Sequence, residues 1–252
     1  MIRLALAEAD VEYKNIFVPD HESLEECRKK GGHLTTNIPM LSIDGVHYTQ
    51  SLAILRKIGR EFAGGVLYPL GEHQMLYEID MLIDAAFDLR SLCYDNDGID
   101  DLRKMRAVSS DILTTHLPNF QRLLGDKSYM CGANFTLADI SVYDALANWA
   151  ERLLPGVLDR FPALRAYVDR VASRPRIAAW LASETAATIG KEDWLDELPV
   201  WQRIAKGLKQ TRSKADPQAK KKTTKLAVKS QSKKAKPKPK VAKKSANSAR
   251  RR

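Results

Sequence analysis

Residues 37–62 read NIPMLSIDGVHYTQSLAILRKIGREF. Two short apolar runs, Pro39–Asp44 and Val46–Gln50, flank Asp44-Gly45. An Asp-Gly pair between alternating segments is a strong hairpin signal, because both turn residues tolerate positive φ. From Ser51 the period changes from two to about 3.6, with Leu52, Leu55 and Ile58 on one face, which predicts a helix to about Phe62. Ser51 is a good N-cap residue. The helix start behind it offers free N–H groups and a dipole suited to a carboxylate. Pro39 heads a strand without a donor for the ladder. Taken by itself, Ile38–Pro39 is expected to be trans, since only about 5–6% of such bonds in folded proteins are cis. A cis bond would turn the Ile38 backbone outward, where it could pair with an extended peptide-like ligand.

Upstream, residues 2–9 (IRLALAEA) predict a helix, Val11–Val18 a strand and Glu22–Lys30 a weak helix. Downstream, Gly64-Gly65 and Pro69 mark a break. Beyond it the strand signals stop, and helical runs are predicted at 72–94, 101–124, 137–153, 161–173 and 175–187. A last packed piece is expected at 193–206, carried by Trp194, Leu198 and Trp201.

Composition limits the function classes. No stretch approaches the ~20 apolar residues of a membrane span. Acids at Glu8, Asp10 and Glu12 argue against a secretory or mitochondrial leader. Cys27, Cys93 and Cys131 are far apart and form no C-x-x-C, which suits free thiols in a reducing compartment better than disulfides or a zinc site. The net charge of +10 averages two unlike parts. Residues 206–252 hold 19 Lys/Arg and one acid, Asp216, giving +18; the totals of 41 and 31 leave 22 bases and 30 acids in residues 1–205, giving −8.

The order of strand, loop, I-P-x-L, D-G hairpin, Q-S-L-A-I and helix resembles the second half of a thioredoxin-like glutathione-binding domain. The segment 37–62 is similar to that of sigma-type cytosolic glutathione transferases, and the likeness covers about residues 2–190. The resemblance implies an α/β domain at 1–64 lacking its first strand, an all-helical domain at 70–206 and a disordered Lys-rich tail at 207–252. It implies that the Ile38 backbone, before a cis Pro39, pairs with the cysteinyl part of glutathione. Gln50 and Ser51 would hold the γ-glutamyl carboxylate, with Lys30 and Asn37 as further contacts. Asp80, Asp84 and Asp88 lie four residues apart on one predicted helical face, where like charges are costly unless a cation is near. By resemblance, Asp84 or Asp88 reaches across a homodimer interface to the ligand's amino group. Phe135-Thr136-Leu137-Ala138-Asp139 reads as a capping box, Thr136 capping and Asp139 reaching back, with Phe135 and Ile140 as a hydrophobic staple. It resembles the family's buried folding motif, so its role is structural.

The family's catalytic tyrosine lies at the end of the first strand. That strand would fall before Met1, so the natural protein is expected to begin upstream, and no catalytic residue is assigned here. Tyr13 belongs to the next predicted strand and is no substitute. The activity implied is conjugation of glutathione, as co-substrate, to hydrophobic electrophiles, or their isomerisation or reduction, in the cytoplasm and without a metal. Two other readings stay open. One is a non-catalytic scaffold of the transferase fold in a translation or RNA-associated complex, tethered by its tail. The other, weaker one is a redox protein using Cys27 or Cys93. The tail resembles linker-histone and ribosomal-protein extensions and would attract RNA, the ribosome or another polyanion, with a possible nuclear fraction.

Overall fold

Helix α1 (Ile2–Glu8) opens the chain with Leu4, Ala5, Leu6 and Glu8 turned inward. The computed structural model describes residues 1–18, 23, 25, 26, 28, 29 and 38–188. The expectations for Cys27, Lys30, Asn37, the 193–206 segment and the tail lie outside those residues. Where described, Ser23, Glu25, Glu26, Arg28 and Lys29 are helical.

The strand predicted at Val11–Val18 does not form; these residues carry no regular structure. Their alternation survives in part: Val11, Tyr13 and Asn15 are half-buried and Glu12 and Lys14 exposed. A period of two selects a face, but a strand also needs a neighbour for its ladder. Residues 12–18 make no backbone pairing among the described residues. Side chains hold the segment instead. Asn15 Oδ1 accepts from Arg3 Nε at 2.8 Å, and the Tyr13 hydroxyl accepts from Trp180 Nε1 at 3.0 Å.

The hairpin forms as predicted, but shorter. Strands β1 (Leu41–Ile43) and β2 (Val46–Tyr48) pair antiparallel with Leu41 opposite Tyr48 and Ile43 opposite Val46. Asp44 (φ 51°) and Gly45 (φ 80°) form the two-residue turn that the Asp-Gly pair predicted. Pro39 lacks an N–H and Gln50 has φ 70°, so the ladder stops inside both predicted limits.

Helix α2 (Ser51–Glu61) buries Ile54, Leu55, Ile58 and Gly59. Gly59 is a close-approach position. A Cβ there would lie 2.5 Å from Leu137 Cδ1 and 2.9 Å from Tyr68 Cβ. The chain then crosses Leu67, whose carbonyl accepts from Leu137 N at 3.0 Å, and enters the long helix α3 (His73–Asp95). Its buried positions Ile79, Leu82, Ile83, Ala86, Leu89 and Cys93 recur at three and four residues, as an amphipathic stripe requires. Tyr77, Met81, Phe87 and Tyr94 stay exposed on the same helix.

Helices α4 (Leu102–Asp111) and α5 (Leu117–Leu124) are joined by a π-helical stretch, Ile112–His116, so 101–124 is one helical rod as predicted. Asp101 caps α4 by accepting from Arg103 N at 2.8 Å. The 137–153 run is likewise α6 (Leu137–Tyr143), a π-helical stretch (Asp144–Ala150) and the short α7 (Glu151–Leu153). A 3-10 turn (Val157–Arg160) leads to α8 (Pro162–Ala172), α9 (Pro175–Leu181) and α10 (Glu184–Thr188). Proline opens both α8 and α9, where its missing N–H is harmless. The buried residues of these helices form a single apolar cluster with those of α1 and α2. No helix among the described residues is long and apolar enough to cross a membrane.

The predicted capping box is present at the centre of that core. Asp139 Oδ2 accepts from Thr136 N at 2.8 Å and from the Thr136 hydroxyl at 3.2 Å. Its other oxygen accepts from Met130 N at 2.8 Å and from the Tyr167 hydroxyl at 3.0 Å. Burial pushes the Asp139 carboxyl up from its ordinary range, while these donors pull it back. Phe135 and Ile140, the expected staple pair, are both buried.

Candidate functional site

Six of the residues singled out for ligand contact are described, and four of them, Ile38, Pro39, Gln50 and Ser51, flank the hairpin. Leu41 pairs with Tyr48 at the open end of the ladder; Ile38–Pro39 leads into β1 there, and Gln50-Ser51 follows β2 at the start of α2. Ile38, Pro39, Gln50 and Ser51 therefore share one end of the hairpin, at the N-terminus of α2. The Ile38–Pro39 bond is cis, against the expectation for the bond in isolation and as the resemblance implied. Ile38 is 55% exposed, and Pro39, Met40 and Gln50 are exposed beside it.

Ser51 begins the helix as predicted, but it does not cap it. The cap position belongs to Gln50, with φ 70° and ψ 109°, and Ser51 is the first helical residue. The Gln50 carbonyl starts the helix by accepting from Ile54 N at 2.9 Å. Serine caps well when its own backbone is extended and its hydroxyl reaches forward. Here the left-handed turn at Gln50 comes one residue earlier, and no side chain caps the helix. The first turn carries no acid. The early amides of α2, the Ser51 hydroxyl and the Gln50 amide thus form a donor-rich end with a favourable dipole, which suits a carboxylate.

The aspartate face of α3 acquires a cation that sequence inspection missed. Arg56 of α2 donates from Nε to Asp80 Oδ1 at 2.6 Å and from Nη2 to Asp84 Oδ1 at 2.9 Å. Tyr68 donates its hydroxyl to Asp80 Oδ2 at 2.9 Å. Burial alone would depress the Arg56 guanidinium; the two carboxylates outweigh it and raise its pKa. Asp84 is thus committed within the chain. Asp88, one turn on, is exposed and carries no hydrogen bond or ion pair among the described residues. Arg56 stands 24 and 28 residues from its partners, and no local spacing rule reaches that far.

The two described thiols are not poised for chemistry. Burial pushes the Cys93 thiol up to about 12, with Asp97 adding to the effect. Burial likewise raises Cys131 to about 11 against a hydrogen bond with Thr136. Both are overwhelmingly protonated at neutral pH, which removes Cys93 as a redox nucleophile.

A separate cleft of about 700 Å³ is lined by Glu8, Phe62, Val66, Met75, Phe135 and Arg174, among others. Arg174 spans its wall. Its Nε donates to Glu8 Oε1 at 3.0 Å and its guanidinium lies 3.9 Å from the Phe135 ring centroid. Ile38, Gln50, Ser51, Asp84 and Asp88 do not line this cleft.

With this geometry in place, known proteins can be compared. The model of the family described as "Glutathione S-transferase, C-terminal domain" matches residues 83–184. Glutathione S-transferase 1 of Ascaris suum is 31% identical over 150 residues, covering 58% of this chain and 72% of the relative. Glutathione S-transferase alpha M14 of Sus scrofa is 29% identical over 188 residues, covering 71% and 81%. Among solved structures, rat hPGDS complexed with a quinoline superposes with a TM-score of 0.60 at 26% identity, covering 71% of this chain and 88% of that one. The glutathione S-transferase from Ascaris lumbricoides gives 0.60 at 28% identity, covering 72% and 89%. The fold, the buried capping box and these likenesses agree: the chain belongs to the glutathione S-transferase family.

Proposed function

We propose that this chain is a sigma-like transferase that binds glutathione at the hairpin end of α2 and delivers its sulfur to hydrophobic electrophiles. The observation that supports the reading is the antiparallel hairpin, whose first strand follows Ile38–Pro39 and whose second leads to Gln50-Ser51 at the start of α2. The two halves suit the two ends of a γ-glutamyl tripeptide. The backbone of Ile38 pairs with the peptide portion, and an extended ligand there adds main-chain hydrogen bonds as an extra strand would. The Ser51 amide and hydroxyl and the Gln50 amide hold the γ-glutamyl carboxylate. Lys30 and Asn37 extend this contact set.

The ligand's ammonium requires a carboxylate. Asp84 is occupied by Arg56, so the reading assigns the role to Asp88, acting across a homodimer. The exposed Tyr77, Met81, Phe87 and Tyr94 on the same helix support such an interface, since aromatic and Met side chains are enriched at the cores of interfaces. These residues bind and orient glutathione. Activation of its thiol is assigned to none of the described residues; burial holds the Cys93 and Cys131 thiols well above their ordinary range.

Calorimetric titration of the full chain with glutathione tests the reading. The combined Gln50→Ala and Ser51→Ala variant is expected to weaken binding at least tenfold, from the loss of charge-assisted hydrogen bonds of about 1.5–3 kcal/mol each. Asp88→Asn is expected to weaken it and Asp84→Asn to leave it unchanged. Unaltered affinity in the Gln50/Ser51 variant would overturn the proposed site.

A further inference from the structure

The charge of this molecule is segregated more sharply than its function as a transferase needs. Residues 1–205 sum to −8 and residues 206–252 to +18. In the first part, arginines are committed to carboxylates. Arg56 is held by Asp80 and Asp84, Arg152 by Asp97 at 2.8 Å, Arg165 by Glu151 at 2.9 Å, and Arg176 by Asp10 at 2.9 Å. That part carries an acidic surplus and repels a polyanion.

Residues 206–252 are the opposite case. Nineteen cations meet one acid, Asp216, so at least eighteen have no carboxylate partner in the segment. Even if every surplus acid of residues 1–205 were matched by one of them, +10 would remain, which is the net charge of the chain. That surplus is available to an external polyanion, which can displace the small counterions that otherwise balance it.

The residue types narrow the class of polyanion. The segment holds no Phe, Tyr or Trp, so neither base stacking nor an aromatic membrane wedge is available. Its apolar residues larger than alanine are Leu208, Leu226, Val228 and Val241, too few and scattered for an amphipathic face. None of the three cysteines falls in it, so it offers no site for thiol acylation, and stable membrane anchoring takes two signals. What remains is lysine in runs, Lys220-Lys221-Lys222, Lys233-Lys234 and Lys243-Lys244, closed by Arg250-Arg251-Arg252. Such a segment is matched by a partner of high linear charge density. Duplex nucleic acid carries about one charge per 1.7 Å and gives up condensed counterions when lysines replace them.

We propose that residues 206–252 bind the phosphodiester backbone of nucleic acid, without regard to base sequence, and tether the transferase to it. The contact is driven by counterion release, so its signature is salt dependence. With ten phosphates neutralised, log K falls against log salt with a slope of about −9; with eighteen, about −16. The smaller figure already corresponds to a loss of roughly 10⁵-fold between 50 and 200 mM salt.

The test uses the full chain and fluorescence anisotropy of a labelled 30-base-pair DNA duplex and an RNA duplex of the same sequence, across a salt series. The expected result is binding at 50 mM salt with a slope of about −9 or steeper. Converting Lys220, Lys221, Lys222, Lys233, Lys234 and Lys236 to Gln should flatten that slope by about 5. Preference for one duplex over the other assigns the source of the phosphodiester, and either preference supports the proposal. Absence of binding at 50 mM salt overturns it, as does an unchanged slope in the six-Gln variant. Phosphatidylserine vesicles that displace the duplex at equal accessible charge would overturn it in favour of a membrane. The readout is independent of glutathione, so failure here leaves the transferase reading untouched.

Discussion

Replacing Asp139 should remove a large part of this protein's stability. The side chain is fully buried and accepts from Met130 N, Thr136 N, the Thr136 hydroxyl and the Tyr167 hydroxyl. In Asp139→Ala the threonine hydroxyl can turn elsewhere and the Tyr167 hydroxyl keeps the backbone carbonyl of residue 139 at 3.3 Å, but the two amides lose their acceptor in the core. A buried donor left unmade costs about 1–3 kcal/mol, so two cost roughly 2–6 kcal/mol, against a typical total stability of about 5–15 kcal/mol. Asp139→Asn is milder: its one carbonyl oxygen serves one of the two donor groups, and its amide is set against the other. A loss of about 2–4 kcal/mol is expected, or about 4–16 °C in Tm for a domain of this size. Urea denaturation followed by circular dichroism measures both variants, and Tyr167→Phe completes a double-mutant cycle with Asp139→Asn. Coupling of about 0.5–3 kcal/mol is expected for side chains in direct contact. An Asp139→Ala variant within 1 kcal/mol of the parent, or a coupling near zero, would refute the reasoning.

Two further predictions concern packing and pH. Gly59→Ala is expected to lower stability by about 1 kcal/mol even though alanine favours helix by about that amount, because the added methyl meets Leu137 and Tyr68 at 2.5 and 2.9 Å; a higher Tm would sink the close-packing argument. Glu151 opposes its own burial by accepting from Arg165 Nη2 at 2.9 Å, Gly156 N at 2.9 Å and Leu158 N at 3.2 Å, and its pKa is lowered from 4.5. A carboxylate with a depressed folded pKa adds stability that is fully present above its unfolded value and is lost as pH falls through the folded one. Glu151→Gln should therefore be less stable than the parent at pH 7, by about 1–2 kcal/mol, and the difference should shrink below about pH 4.5. A difference that is constant from pH 7 to pH 3 would show that the carboxylate charge contributes nothing there.

Where a structural choice depends on neighbours within a few residues, the sequence was enough. Asp44-Gly45 dictates the hairpin turn because only such residues accept two positive φ angles in succession. The spacing of Ile79, Leu82, Ile83, Ala86 and Leu89 dictates the buried face of α3, and Thr136 with Asp139 dictates the start of α6. The charge boundary near residue 206 was equally legible. Tertiary structure decided the rest. Val11–Val18 alternates like a strand, yet ladder bonds come from another segment, and none is paired with it among the described residues. The helix starts at Ser51 as predicted, but the cap position falls to Gln50, whose positive φ turns the chain into the helix, and not to Ser51, a good cap by type. Which aspartate of the α3 face stays unpaired was set by Arg56, and the third donor to Asp139 by Tyr167, from 24 and 28 residues away. Periodicity and capping report the local preferences of a chain; partners separated by several turns of helix meet only when the core has closed around them.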